Sequence, residues 1–271
     1  MKGLCALLGM TTQNFYKERR LRERRSVDEA LVVALVKRER AMHPEMGARK
    51  LLENIGPDLA EAGVTVGRDR FFEVLRERNL LVRRRRRTAR TTDSRHGLRV
   101  YGNKLRGLEL TGPEEAWVSD LTYIRTDQGF LYLALVMDAY SRRIMGYDVA
   151  DTLEAEGCLR ALRMAIGECA EGRRPIHHSD RGSQYCCHAY IELLKEHGMG
   201  ISMTEENHCY ENAKAERLNG ILKQEYGLGG IFRRKKDAIA TVHQAVMLYN
   251  HRRPHTALGY KTPDQVHREA A

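Results

Sequence analysis

No stretch of this 271-residue chain approaches the roughly 18 consecutive apolar residues of a membrane span. The first 17 residues have no long apolar segment, which argues against a secretory leader. Six cysteines stand at positions 5, 158, 169, 186, 187 and 209, and none forms a C-x-x-C pair. That argues against a zinc ribbon or a disulfide framework, and a reducing, cytoplasmic setting is the expectation. There is no internal repeat, and no heptad run that would build a coiled coil. The one low-complexity feature is an unbroken run of five arginines, Arg83 to Arg87.

What remains is a chain with 42% hydrophobic residues, enough to bury a real core and long enough for two small domains. Its net charge is +10, unevenly spread. Residues 1–100 hold 24 Lys and Arg against 13 Asp and Glu, residues 101–230 hold 14 against 20, and residues 231–271 hold 8 against 3. Basic ends suit a polyanion, because each neutralised phosphate releases counterions. An acidic middle would repel the same polyanion unless cations lie between, which points to divalent metal. The bland reading is a charged surface with no partner.

The first 82 residues read as helices. Residues 3–20 suggest two short helices around Gly9. Ser26 with Glu29 forms a possible capping box opening a helix on Leu31, Val32, Leu35 and Val36. His43-Pro44 ends it. A piece over 47–53 follows, and then a helix from Arg68 to Asn79 with Phe71, Phe72 and Leu75 inward. A helix-turn-helix-like unit with a basic recognition helix competes with a plain bundle bearing a charged face. The arginine run, in a stretch without periodicity, reads as a linker lying on phosphates. From Trp117 the period changes to 2. Strands are expected over 117–124, 130–137 and 143–149, then a helix over 153–168, a strand over 175–179, a helix over 190–197, a strand over 201–203, and helices over 212–226 and 236–250. This order describes a mixed-sheet α/β domain. The tail from Tyr249 is polar and contains proline.

Three acids stand out: Asp120 in the first strand, Asp180 just beyond the fourth, and Glu216 within a helix 36 positions later. Carboxylates from separate elements can meet at one sheet edge, and paired oxygen-seeking cations need such shared ligands for phosphodiester chemistry. Asp127, Asp138, Asp148 and Asp151 are rivals on spacing alone. Local sequence separates them. The segments Trp117-Val-Ser-Asp-Leu-Thr-Tyr123, Asp138-Ala-Tyr-Ser-Arg142, His178-Ser-Asp-Arg-Gly-Ser-Gln-Tyr185, Asn212-Ala-Lys-Ala-Glu216 with Arg217 to Glu225, Tyr249-Asn-His-Arg-Arg-Pro-His255 and Leu258-Gly-Tyr-Lys-Thr-Pro263 stand in this order. From about residue 113 to 263 the chain resembles the retroviral-integrase-like DDE transposases, specifically the second-frame product of IS3-type insertion sequences.

The resemblance implies an RNase H-like mixed sheet flanked by helices, preceded by a small all-α domain. It implies that Asp120, Asp180 and Glu216 hold Mg2+, two ions being expected and Mn2+ able to substitute. It implies cleavage of a transposon end by water, then attack of the freed 3′-hydroxyl on a second strand. Four regions are expected: a helical DNA-binding domain over 1–82, a basic linker over 83–112, the catalytic core over 113–230, and a C-terminal helix with a basic tail over 231–271. Expected partners are DNA, a first-frame transposase protein (separate or fused) and further copies of the chain on DNA. No membrane partner is expected. Two alternatives stay open: a non-catalytic DNA-binding regulator or relic, and an RNase H-like nuclease that cuts without joining.

Around the triad, Asp138 is expected to stabilise a turn rather than bind metal. Gly182 is expected to supply an unusual backbone conformation, and Asn212 to cap the Glu216 helix. Ser183 and Gln184 either reach DNA or hold their loop. Asn219 and Lys223 share the Glu216 face and are candidate phosphate contacts alongside Arg83, Arg84, Arg85, Arg86 and Arg87. His177, His178, His188, Cys186 and Cys187 match no usual zinc spacing, and Pro254 argues against a helical His251–His255 pair. Arg217-Leu218 stands where many members carry an aromatic pair. The His-His-Cys-Cys zinc unit of retroviral integrases has no counterpart in the N-terminal residues.

Overall fold

The computed structural model describes residues 11–82, 97–205 and 213–270, with residues 21–26 described by their backbone only. The chain forms two compact units, Met1–Arg84 and Arg85–Ala271.

In the first unit, helices α1 (Thr12–Met42), α2 (Ala48–Glu61) and α3 (Arg68–Glu77) pack around Val32, Val36, Met46, Leu51, Ile55, Phe71 and Leu75. The expected break near Ser26 does not occur. One 31-residue helix runs from a Thr11 cap, whose Oγ1 accepts from the Asn14 amide. Glu29, read from the sequence as half of a capping box, instead accepts from Arg70 Nη2 at 2.5 Å. A tertiary ion pair has taken the group that a local motif would have used. The helix does end at His43, before Pro44, because the residue preceding proline is pushed out of the helical region. The second helix runs longer than expected, through Pro57 to Glu61.

The second unit is a three-layer α/β domain. Strands β1 (Ala116–Thr126), β2 (Gly129–Asp138) and β3 (Ile144–Ala150) form an antiparallel meander. Helix α4 (Ala155–Glu168) leads to β4 (Ile176–Ser179). Two helices, α5 (Ser183–Cys186) and α6 (His188–Glu196), then lead to β5 (Gly200–Met203). Strands β4 and β5 are parallel to β1, giving the order β3-β2-β1-β4-β5. Helix α7 (Ala213–Glu225), a short strand β6 (Ile231–Phe232) beside the far end of β1, helix α8 (Lys235–His251) and helix α9 (Pro263–Glu269) complete the unit.

The long apolar run of β2 is buried on both faces, as its composition requires. On one face Val118, Leu131, Leu133 and Leu135 meet Leu218, Leu222, Val242 and Tyr249 of α7 and α8. On the other, Trp117, Ala134, Val136 and Met145 meet Cys158, Leu162 and Tyr190 of α4 and α6. Helix α9 and strand β6 were not expected from sequence. α9 opens on a capping box built by Thr262 and Gln265 with Pro263 in its first turn. No helix among the described residues is long and apolar enough to cross a membrane.

Candidate active site at the β1–β4 edge

Parallel pairing sets Val118 opposite His178. Two residues further on, Asp120 lies within β1 and Asp180 just beyond the carboxyl end of β4, near enough for their charges to interact. Successive residues of β1 point to opposite faces. Ser119 turns to the α6 side, where its hydroxyl meets His177 Nε2 at 2.7 Å. Asp120 turns to the α7 side. There Asn219, one helical turn beyond Glu216, donates from Nδ2 to Asp120 Oδ2 at 2.7 Å. The Leu121 amide holds the other Asp120 oxygen at 2.9 Å.

Burial and like charge both show in the protonation of Asp120. Burial, then the neighbouring charge of Asp180, then that of Glu216 push its carboxyl from 3.8 up to about 7, against the opposing hydrogen bonds of Asn219 and Leu121. Lys223 lies over the Tyr123 ring with Nζ 4.5 Å from its centre. Burial lowers its ammonium, and the Asp120 charge works the other way. Among the described residues, no three His, Cys, Asp or Glu side chains stand close enough to hold a metal ion.

The loop after Asp180 is built to hold that carboxylate. The Gly182 amide donates to Asp180 Oδ1 at 2.9 Å. Gly182 has an ordinary extended backbone, with φ −61°, so the expectation of an unusual conformation is corrected. Glycine keeps the loop close: a Cβ would lie 3.0 Å from Asp180 Oδ1 and 3.1 Å from Gln184 Oε1, so those side chains would have to give by a few tenths of an ångström. Gln184 holds the loop, donating to the Leu153 carbonyl at 2.8 Å.

Asp138 is fully buried and accepts from the amides of Glu114, Tyr140 and Ser141 and from the Ser141 hydroxyl. It organises the β2–β3 turn, as expected. The histidines diverge. His177 bonds Ser119 and the Tyr190 hydroxyl (2.9 Å) on one face, and burial pushes its pKa down to about 3. His178 Nδ1 meets Ser202 Oγ at 2.8 Å. His251 sits by Asp264 and His255 by Arg253.

Of the candidate DNA contacts, Arg83, Arg84, Arg85, Arg86 and Arg87 lie outside the described residues, as does the proposed cap Asn212. Asn219 and Lys223 do share the Glu216 face. Asn219, however, is 7% exposed and spends its amide nitrogen on Asp120. The i+3 spacing placed it correctly; only the fold reveals that its partner is the carboxylate. Sequence reasoning passed over Tyr123, which carries Lys223, and Tyr190, which carries His177.

Two family models, both described as integrase core domain, match residues 111–209 and 197–263. The chain is 33% identical to the insertion element IS600 uncharacterized 31 kDa protein of Shigella sonnei, over 99% of this chain and all of that one. It is 31% identical to transposase InsF for insertion sequence IS3A of Escherichia coli, over 98% of this chain and 93% of that one. Its fold is shared with a chain of the simian T-cell lymphotropic virus intasome in complex with PP2A regulatory subunit B56 gamma, at 16% identity and a TM-score of 0.50, covering 82% of this chain and 70% of that one. With an RNase H-like sheet, two integrase-core matches and near-complete alignment to insertion-sequence proteins, the chain belongs to the IS3 family of transposases.

Proposed function

We propose that this transposase-family chain cuts transposon-end DNA and joins the freed 3′-hydroxyl to a second strand, with Asp120, Asp180 and Glu216 as ligands for Mg2+ or Mn2+. The arrangement that supports the reading is the parallel pairing of β1 with β4, which puts Asp120 and Asp180 on neighbouring chain segments, and the bond from Asn219 of α7 to Asp120, with the charge of Glu216 also felt at Asp120. Three carboxylates are the donor type that a hard divalent cation takes. Burial does most to raise the Asp120 pKa, and the charges of Asp180 and Glu216, which a bound cation would balance, add to it. Bound divalent ions would supply activation of the attacking oxygen and stabilisation of the departing 3′-oxygen. The chain's own part is to hold the carboxylates: the Gly182 amide fixes Asp180, while Asn219 and the Leu121 amide fix Asp120. Lys223, on the same helix face, would meet a phosphate. The arginine run would add sequence-independent affinity for the backbone. We also propose a first-frame transposase partner, separate or fused, and assembly of several copies on paired ends.

The test is strand joining on labelled transposon-end DNA with Mg2+, using the chain alone and fused to its upstream partner, with Glu216→Gln beside it. Metal-dependent joined product that disappears in the variant supports the reading. Cutting without joining would indicate a nuclease, and binding with no chemistry in the fusion a regulator. A fully active Glu216→Gln would remove Glu216 from the site.

A further inference from the structure

The tail segment Tyr249 to His255 is polar in sequence, yet all of it but His251 and Arg252 is buried in the fold. Arg253 is 1% exposed, Asn250 6% and His255 8%. Arg253 makes a two-pronged ion pair with Glu225, the last residue of α7: Nε to Oε2 at 2.7 Å and Nη2 to Oε1 at 2.8 Å. Its Nη1 donates to His255 Nε2 at 2.8 Å, and the Tyr249 ring lies alongside both groups. Asn250 ties this segment to the sheet edge: Oδ1 accepts from the Ile144 amide at 2.9 Å and Nδ2 donates to the Ile144 carbonyl at 3.0 Å. The other end of α7 is held separately, because Lys214 Nζ donates to the Ala139 carbonyl at 3.1 Å.

We propose that Asn250, Arg253 and His255 form a positioning clamp for α7, setting the angle at which Glu216 and Asn219 face Asp120. The inference rests on the reading of Glu216 as a metal ligand. Its physical basis is the difference between stability and geometry. A buried ion pair adds little net stability, since desolvation offsets the attraction, and apolar residues of similar volume commonly do as well. What a forked guanidinium–carboxylate pair adds is orientation. The apolar contacts of Leu218, Ile221 and Leu222 press α7 onto the sheet, but such contacts are non-directional and tolerate rotation about the helix axis. A bidentate bond near the helix end, anchored through Asn250 to β3, resists that rotation.

The discriminating variant is the double replacement Arg253→Met with Glu225→Leu, which exchanges the pair for apolar bulk. Arg253→Lys is the second variant, keeping the charge but losing the fork. Both are compared with wild type in the full chain by melting temperature, hydrogen exchange, Mn2+ affinity measured calorimetrically without DNA, and joining kinetics. The expected result is a folded protein with near wild-type melting. Amides of residues 216–225 exchange faster while those of β1 and β2 keep their protection, and Mn2+ binds about tenfold more weakly, as for loss of a group that orients a ligand. In joining, kcat falls and the KM for DNA does not. Folded variants with unchanged Mn2+ affinity and unchanged α7 exchange would overturn the clamp. So would failure of both variants to fold, which would make the pair a stability element. Glu216→Gln, run alongside, separates the two readings. If it binds Mn2+ like wild type, the metal-ligand reading fails, while the exchange of α7 still tests the clamp.

Discussion

Asp120 is the residue whose charge the fold perturbs most usefully. Its carboxyl, raised from 3.8 to about 7 by burial and by Asp180 and Glu216, keeps its proton between roughly pH 4 and 7, where the unfolded chain has released it. The folded state then binds more protons than the unfolded one, so this group's effect on stability becomes less favourable as pH rises through that window. In metal-free protein, the stability of Asp120→Asn relative to wild type should therefore improve from pH 4 to pH 8, by on the order of 2–4 kcal/mol. Any fixed cost of the amide's altered hydrogen bonds cancels in that comparison. Denaturant midpoints at the two pH values measure it, and a difference independent of pH would contradict the raised pKa. Asn219→Ala removes a bond that favours the charged carboxylate. It should push the Asp120 pKa further up and weaken Mg2+ affinity about tenfold, read as a rise in the Mg2+ concentration for half-maximal joining. The i+3 relation of Asn219 to Glu216 was legible in the sequence. Its partner was not, because a neighbour on another strand leaves no local trace.

Among the elements, glycine positions separate tight packing from mere turn-making. Gly146 of β3 lies beneath α4, where a Cβ would stand 2.1 Å from the Ala161 carbonyl oxygen and 2.7 Å from the Ala165 nitrogen. Both are helix backbone and cannot step aside. Gly146→Ala should cost about 3 kcal/mol or more through overpacking, seen as a lowered denaturant midpoint or loss of soluble protein. Gly220 of α7 meets nothing within 4 Å. There Gly220→Ala should stabilise by roughly 0.5–1 kcal/mol, because a mid-helix glycine is entropically costly. The strands and most helices of the second unit were readable from periodicity, with β2 recognisable by its unbroken apolar run. Strand β6 was too short to show a period. Helix α9 carried its start signal, Thr262-Pro263, in a stretch whose polar composition masked it. The α1 continuation through Ser26 was lost because a capping pattern is only a local preference, and the packing of α1 on α2 and α3 overrode it.

For the whole molecule, two compact units and an uneven charge distribution frame the interaction with DNA. The basic ends should make binding strongly salt-dependent. Replacing Arg83 to Arg87 with glutamine should flatten the slope of log affinity against log salt by roughly 4–5 if all five meet duplex phosphates. Fluorescence anisotropy across a salt series measures this, and an unchanged slope would leave the run with no part in the contact. The sequence by itself determined the chain's class, its three candidate carboxylates and their order, because strand and helix periods and compact motifs are written in neighbouring residues. Tertiary structure alone decided that Asn219 serves Asp120, that Gly182 sits close under the Asp180 and Gln184 side chains with an ordinary φ, and that a polar tail becomes a buried anchor for α7. Each of these depends on atoms far apart in the chain meeting at a few ångströms, and residue type and spacing do not encode that distance.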